Sequence, residues 1–169
     1  MRSKFNYSKE NPFHISVAAL LTNEEGLICT HFFKKDDLPD ESEGKSDLYL
    51  LMRESLHDNE TIEEGLTRGL MEEYGATGDI KRYIGSIQSM FPYSTIPDKW
   101  VEKTVLYFHI ELTSIEESRR EPNTAESKST LLWLTPEELL EKFAQQNKVY
   151  ERTDLDDSKI IKDFISYEK

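Results

Sequence analysis

Glu72 and Glu73 stand side by side in "LTRGLMEEYGA", residues 66–76, with Arg68 one turn earlier. At about 100° per residue, Gly65, Arg68, Gly69, Glu72, Glu73 and Ala76 share one face of a helix, opposite Leu70, Met71 and Tyr74. Adjacent carboxylates repel, and the C-terminal end of a helix disfavours anions further. Something positive must offset them. Arg68, four residues before Glu72, is one candidate. A hard divalent cation is another, because carboxylate oxygens suit Mg²⁺ or Mn²⁺. A solvated acidic face with a surface ion pair gives the same spacing, so the segment alone leaves both readings open. Gly69 is the oddity: a poor helix former on the face that carries the charge.

The rest of the chain must position that helix. "HISVAALLTNEEGLICTHFF" (14–33) reads as two apolar strands joined by a turn at Asn23–Gly26. A charged loop (34–47) leads to a strand at "LYLLM" (48–52). "NETIEEGLTRGLMEEYG" (59–75) is helical, with Leu66, Leu70, Met71 and Tyr74 as its apolar stripe and Gly75 as its stop. Long strands follow at 79–91 and 103–112, then a polar loop (113–129) and a short strand at "TLLWL" (130–134). Thr135, Pro136 and Glu138 open another helix with a capping box, and an amphipathic stretch at about 154–167 predicts a last one. Without regular strand–helix–strand alternation, an α/β architecture with a sheet between helices is the expectation.

At 169 residues the chain suits one domain, 1–169. Its formal net charge of −12 argues against a nucleic-acid duplex or an anionic membrane as the main partner. A small phosphate ligand stays open, because a metal ion can offset local negative charge. The single Cys29, inside an apolar run, reads as a buried structural thiol. No segment has signal-peptide or membrane-span character, so the cytoplasm is the expected location. Monomer and dimer fit the apolar strands equally.

The stretch Glu54–Ala76 resembles the Nudix box, G-x5-E-x7-R-E-U-x-E-E-x-G-U, where U is a bulky aliphatic residue. Glu60, Arg68, Leu70, Glu72, Glu73 and Gly75 match in identity and spacing, and Ala76 is a weak match at the last position. The resemblance extends over residues 13–143 through "HISVAALL", "TVLYFHIEL" and "LLWLTPEEL". It implies an α/β/α sandwich with a mixed β-sheet. It also implies a pyrophosphohydrolase that acts on a nucleoside diphosphate linked to another moiety. Carried over, Glu72 and Glu73 are Mg²⁺ (or Mn²⁺) ligands, and Arg68 fixes the carboxylates through Glu60.

The chain departs from the box in three places. Arg53 and Glu54 replace the flexible glycines at its start, His57 stands where many members carry a glutamate, and Gly69 replaces the glutamate after the arginine. Glu54, His57 or Glu126 could supply the missing carboxylate, with Glu126 the expected third metal ligand and Glu121 and Glu102 weaker candidates. Arg53, Glu54 and His57, with Phe91 and Tyr93 as stacking residues, form the expected substrate side; Arg119 and Arg120 are further phosphate candidates. His14 and His109 read as structural, His31 and His57 as exposed. The alternative is a catalytically inactive nucleotide-binding or regulatory module on the same fold.

Overall fold

Val17 to Leu21 are five consecutive residues with no exposed surface, which requires a strand covered on both faces. That strand, β1 (Phe13–Thr22), is the axis of a seven-stranded mixed sheet. The computed structural model describes residues 13–37, 46–92, 100–150 and 155–168, with only the backbone of Phe91 and Pro92. Around β1 lie β2 (Ile28–Phe33), β3 (Leu48–Leu50), β4 (Met52–Ser55), β5 (Ala76–Pro92), β6 (Trp100–Ile115) and β7 (Thr130–Leu134). The helices are α1 (Ile62–Gly69), α2 (Pro136–Tyr150) and α3 (Ser158–Tyr167).

On one side β1 runs parallel to β6, from Phe13 opposite Glu102 to Thr22 opposite Glu111. On the other side it pairs antiparallel with β4, Ser16 to Ser55 through Ala19 to Met52, and with β2 at Thr22 and Ile28. The stretch 48–52, expected as one strand, is therefore two. β3 pairs with β2, and after the buried Leu51 the chain changes partner to β1. The strands at 79–91 and 103–112 are longer than expected and form an antiparallel hairpin at the sheet edge. The helix opened by Thr135 continues to Tyr150, past the expected 143.

The period of two along β1 sorts the core into two layers. Val17, Ala19 and Leu21 pack with Leu66, Leu70 and Tyr74 of the α1 segment. Ala18 and Leu20 pack on the opposite face with Leu139, Phe143, Ile160, Ile161 and Phe164 of α2 and α3. The chain thus has the α/β sandwich its sequence implies, with the acidic helix on one face.

α1 begins at a capping box: Thr61 accepts from the Glu64 amide, and the Glu64 carboxylate accepts from the Thr61 amide. Its end is a wide π-turn, Leu70–Tyr74, closed by Gly75 at φ 65°. A π-turn carries more than the usual residues per turn, and such turns recur at functional sites. Gly75 is required twice over. A left-handed φ strains other residues, and a Cβ there would lie 2.3 Å from the Glu116 carbonyl oxygen. Gly75→Ala is expected to cost about 2–3 kcal/mol of stability in urea unfolding. A loss below about 0.5 kcal/mol would contradict this close approach.

Candidate active site

Arg68 organises one side of the site. Its Nε donates to Glu60 Oε1 at 2.8 Å and its Nη2 to Glu60 Oε2 at 2.9 Å, a two-pronged contact, while Nη2 also reaches the Ser55 carbonyl at 2.9 Å. Nη1 lies 3.2 Å from Glu72 Oε2 and 3.3 Å from Glu54 Oε2. Glu60 also accepts from the His57 amide at 2.8 Å. The Arg68 hydrogen bonds hold the Glu60 carboxyl down to about 2. The expected Arg68–Glu60 partnership is therefore present. Glu54 moves the other way: burial raises its carboxyl, opposed by Arg68 and assisted by Glu72.

Glu73 faces inward and is 7% exposed, deeper than an ideal helical face predicts. Its Oε2 lies 2.7 Å from Nε2 of His31, which is 1% exposed. The expectation of an exposed His31 is corrected: alternation along β2 puts it on the same layer as the buried Cys29, against the Tyr74 ring. His31 Nδ1 lies 2.7 Å from Ser129 Oγ. The Ser129 hydroxyl lies 2.7 Å from both His31 Nδ1 and the Glu126 carbonyl, and its one proton can go to either. Burial raises Glu73 well above the usual carboxylate range, with Glu126 and Glu54 adding to it. Burial and then Arg120 push His31 down to about 3, leaving it neutral.

Arg120 builds the opposite wall. It donates to the Glu73 carbonyl at 2.7 Å, to the Ser129 carbonyl at 3.0 Å, to Ser129 Oγ at 2.8 Å and to the Glu126 carbonyl. The Glu121 amide adds a bond to the Glu72 carbonyl at 2.8 Å. The loop at 116–129 is thereby clamped onto the end of the acidic helix. Arg120, expected as a phosphate candidate, is occupied as a brace instead. Arg119 is exposed.

Between these walls lies a cleft of about 290 Å³ lined by Arg53, Glu54, Ser55, Glu72, Glu73, Glu121, Thr124 and Glu126. Of the expected metal ligands, the structure brings Glu72, Glu73 and Glu126 to this one place, with Glu121 beside them. Glu102 sits on β6 opposite Phe13, away from the cleft. The substrate-side expectations divide. Glu54 lines the cleft, and His57 is exposed outside it, touching the site through its backbone. The guanidinium of Arg53 goes to Asp157 on the other face of the sheet, 2.5 Å away, because its β4 position opposes Ala18 rather than Val17. The main chain of Arg53 supports the cleft through a backbone hydrogen bond to the Glu73 carboxyl, and its charge also favours the ionised carboxylate. The Phe91 side chain and Tyr93 lie outside the described residues. His14 and His109 are buried in strands. Ser129 and the bracing role of Arg120 had no signal in the spacing, because both act through loop closure.

The donor set suits a hard cation: carboxylate oxygens from five glutamates around one opening, with no thiolate in the lining. Among the described residues, no three acidic, histidine or cysteine side chains converge closely enough to hold an ion as they stand. The hydrogen bonds say why. Arg68 holds Glu72 and Glu54, and His31 holds Glu73. Burial is the main cause that raises Glu73, and the charges of Glu126 and Glu54 that add to it are what a cation would relieve.

The NUDIX domain model matches residues 12–153. The chain belongs to the Nudix family, whose hydrolases generally use divalent metal cations. Among solved structures, the ORF135 protein of E. coli is similar at 18% identity and a TM-score of 0.60, over 91% of this chain and 89% of that one. A NUDIX hydrolase from Nitrosomonas europaea is similar at 14% identity and a TM-score of 0.62, over 92% and 90%. No curated protein sequence matches. No helix among the described residues is long and apolar enough to cross a membrane.

Proposed function

We propose that the chain is a Mg²⁺- or Mn²⁺-dependent Nudix hydrolase that cleaves a diphosphate bond in a nucleoside diphosphate linked to another moiety. The observation that supports it most is the gathering of Glu54, Glu72, Glu73 and Glu126 around one cleft behind an Arg68–Glu60 brace. Glu72 is the most accessible of the three side chains on Arg68, at 34% exposure, and is the natural first ligand. Glu73 and Glu126 add donors from the helix end and the clamped loop. When bound, such a cation neutralises pyrophosphate charge and lowers the pKa of a bound water. Arg68 orients Glu72 and Glu54, His31 sets the position of Glu73, and Arg120 holds the loop that carries Glu126. The same reading takes residues 1–169 as one domain, with α3 part of it, in the cytoplasm.

A second reading has one observation in its favour. Glu72, Glu54 and Glu73 already have protein partners, as they would in a nucleotide-binding module without turnover. The two separate by assay. Incubation with a panel of nucleoside diphosphate derivatives should release phosphate or a nucleoside monophosphate only with Mg²⁺ or Mn²⁺. Glu72→Gln should slow that release by about 10²–10³-fold. Metal-independent release, or nucleotide binding with no turnover across the panel, would overturn the hydrolase reading.

A further inference from the structure

Gly69 is helical, at φ −60° and ψ −40°, so its backbone does not require glycine. Its surroundings do. A Cβ built on Gly69 would lie 2.9 Å from the Cβ of Glu54 and 2.8 Å from the Met52 sulfur. α1 therefore rests against β4 with no room for a Cβ at 69 unless Met52 or Glu54 shifts, and the stem of Glu54 stands beside the point where such a side chain would begin. The two positions are fifteen residues apart in the chain, yet their side chains would leave the backbone from almost one point. From that point the Glu54 carboxylate runs into the cleft beside Glu72, and both meet Nη1 of Arg68.

We propose that Glu54 is a metal-ligating residue that supplies, from strand β4, the carboxylate that residue 69 would otherwise supply from the helix. The glycine and the glutamate are then one reciprocal exchange rather than two losses. The proposal rests on the metal-dependent reading given above. It accounts for the tight α1–β4 contact, which a bracing role for Glu54 alone does not need, since Glu60 already makes the two-pronged contact with Arg68. The partial burial of Glu54, 23% exposed, points the same way: a carboxylate is drawn from water only where something positive compensates it. Arg68 supplies part of that compensation, shared with Glu60 and Glu72.

The test is Mn²⁺ titration of the full chain, with free Mn²⁺ read by electron paramagnetic resonance and folding followed by circular dichroism. Native protein should bind Mn²⁺, and Glu54→Gln should weaken that binding about 10–100-fold. Glu54→Gly should be as weak. Glu54→Gly combined with Gly69→Glu should return to within about threefold of native, because the carboxylate re-enters from the helix. Glu54→Gln, which keeps side-chain volume, decides the matter should the exchange variant not fold. Binding by Glu54→Gln within about twofold of native overturns the proposal, as does a folded exchange variant that binds no better than Glu54→Gly. Glu72→Gln separates the two levels of inference. If it weakens Mn²⁺ binding and Glu54→Gln does not, this proposal alone falls. If native protein binds no Mn²⁺, the metal-dependent reading falls and takes the proposal with it.

Discussion

Arg68→Ala is expected to remove about 3 kcal/mol of folding stability at neutral pH, measured by urea unfolding. The side chain is 19% exposed and Glu60 11%, so their contact is not a surface ion pair of marginal worth. Losing the guanidinium leaves Glu60, Glu54 and Glu72 facing one another, and frees the Ser55 carbonyl. Acid should shrink the difference. The Glu60 carboxyl titrates near 2 in the fold against an ordinary 4.5, a depressed value. Its contribution is therefore complete above 4.5 and is lost as pH falls from 4.5 through 2. Screening brings that contribution to about 2 kcal/mol. The gap between native and Arg68→Ala protein should narrow across this window, and a gap that stayed constant would show that Glu60 is not the principal partner. Arg68→Lys should recover less than half of the loss, because an ammonium cannot bridge both Glu60 oxygens and the Ser55 carbonyl.

The Arg68–Glu60 brace was legible in the sequence because a box of fixed spacing ties the two residues on one short segment. The same holds for the helix stripe of Leu66, Leu70 and Tyr74 and the stop at Gly75, which follow from local periodicity and backbone chemistry. The division of "LYLLM" was not legible. Nothing in five apolar residues says that the chain changes strand partner at Leu51, since both partners reward the same residue types. Glu73 was misjudged in depth for a related reason: 100° per residue describes an α-helix, and the π-turn from Leu70 to Tyr74 rotates the last positions away from it. His31 had a usable signal, its parity with Cys29 in β2, but a histidine's partner is set by what the fold brings opposite. The meaning of Gly69 was hidden most completely. Sequence spacing shows a carboxylate missing from the helix and leaves Glu54, His57 and Glu126 open as replacements; the close approach of β4 at residue 69 is what favours Glu54 in the proposal above.

The largest stability effect outside the cleft is expected at Asp157. Its carboxylate, 1% exposed at the head of α3, receives Arg53 Nη2 on Oδ2 and the Tyr107 hydroxyl on Oδ1, each at 2.5 Å. Arg53 also lies over the Tyr107 ring, 5.9 Å from its centre. Asp157→Ala leaves a guanidinium 12% exposed without its carboxylate, which should cost about 3–5 kcal/mol by urea unfolding. Removing the charge together with its partner is a different matter, because an apolar side chain needs no counter-ion. Arg53→Met with Asp157→Ala should therefore recover at least about half of that loss, and a double variant as unstable as Asp157→Ala would show that the pair is not the cause. Mn²⁺ affinity, measured where Asp157→Ala is folded, should stay within about threefold of native, since no cleft carboxylate changes. A larger drop would mean that β4 carries strain from Arg53 to its neighbour Glu54. The side chains of this strand alternate between two jobs: residue 53 fastens the C-terminal helix on one face, and residue 54 faces the acidic helix on the other.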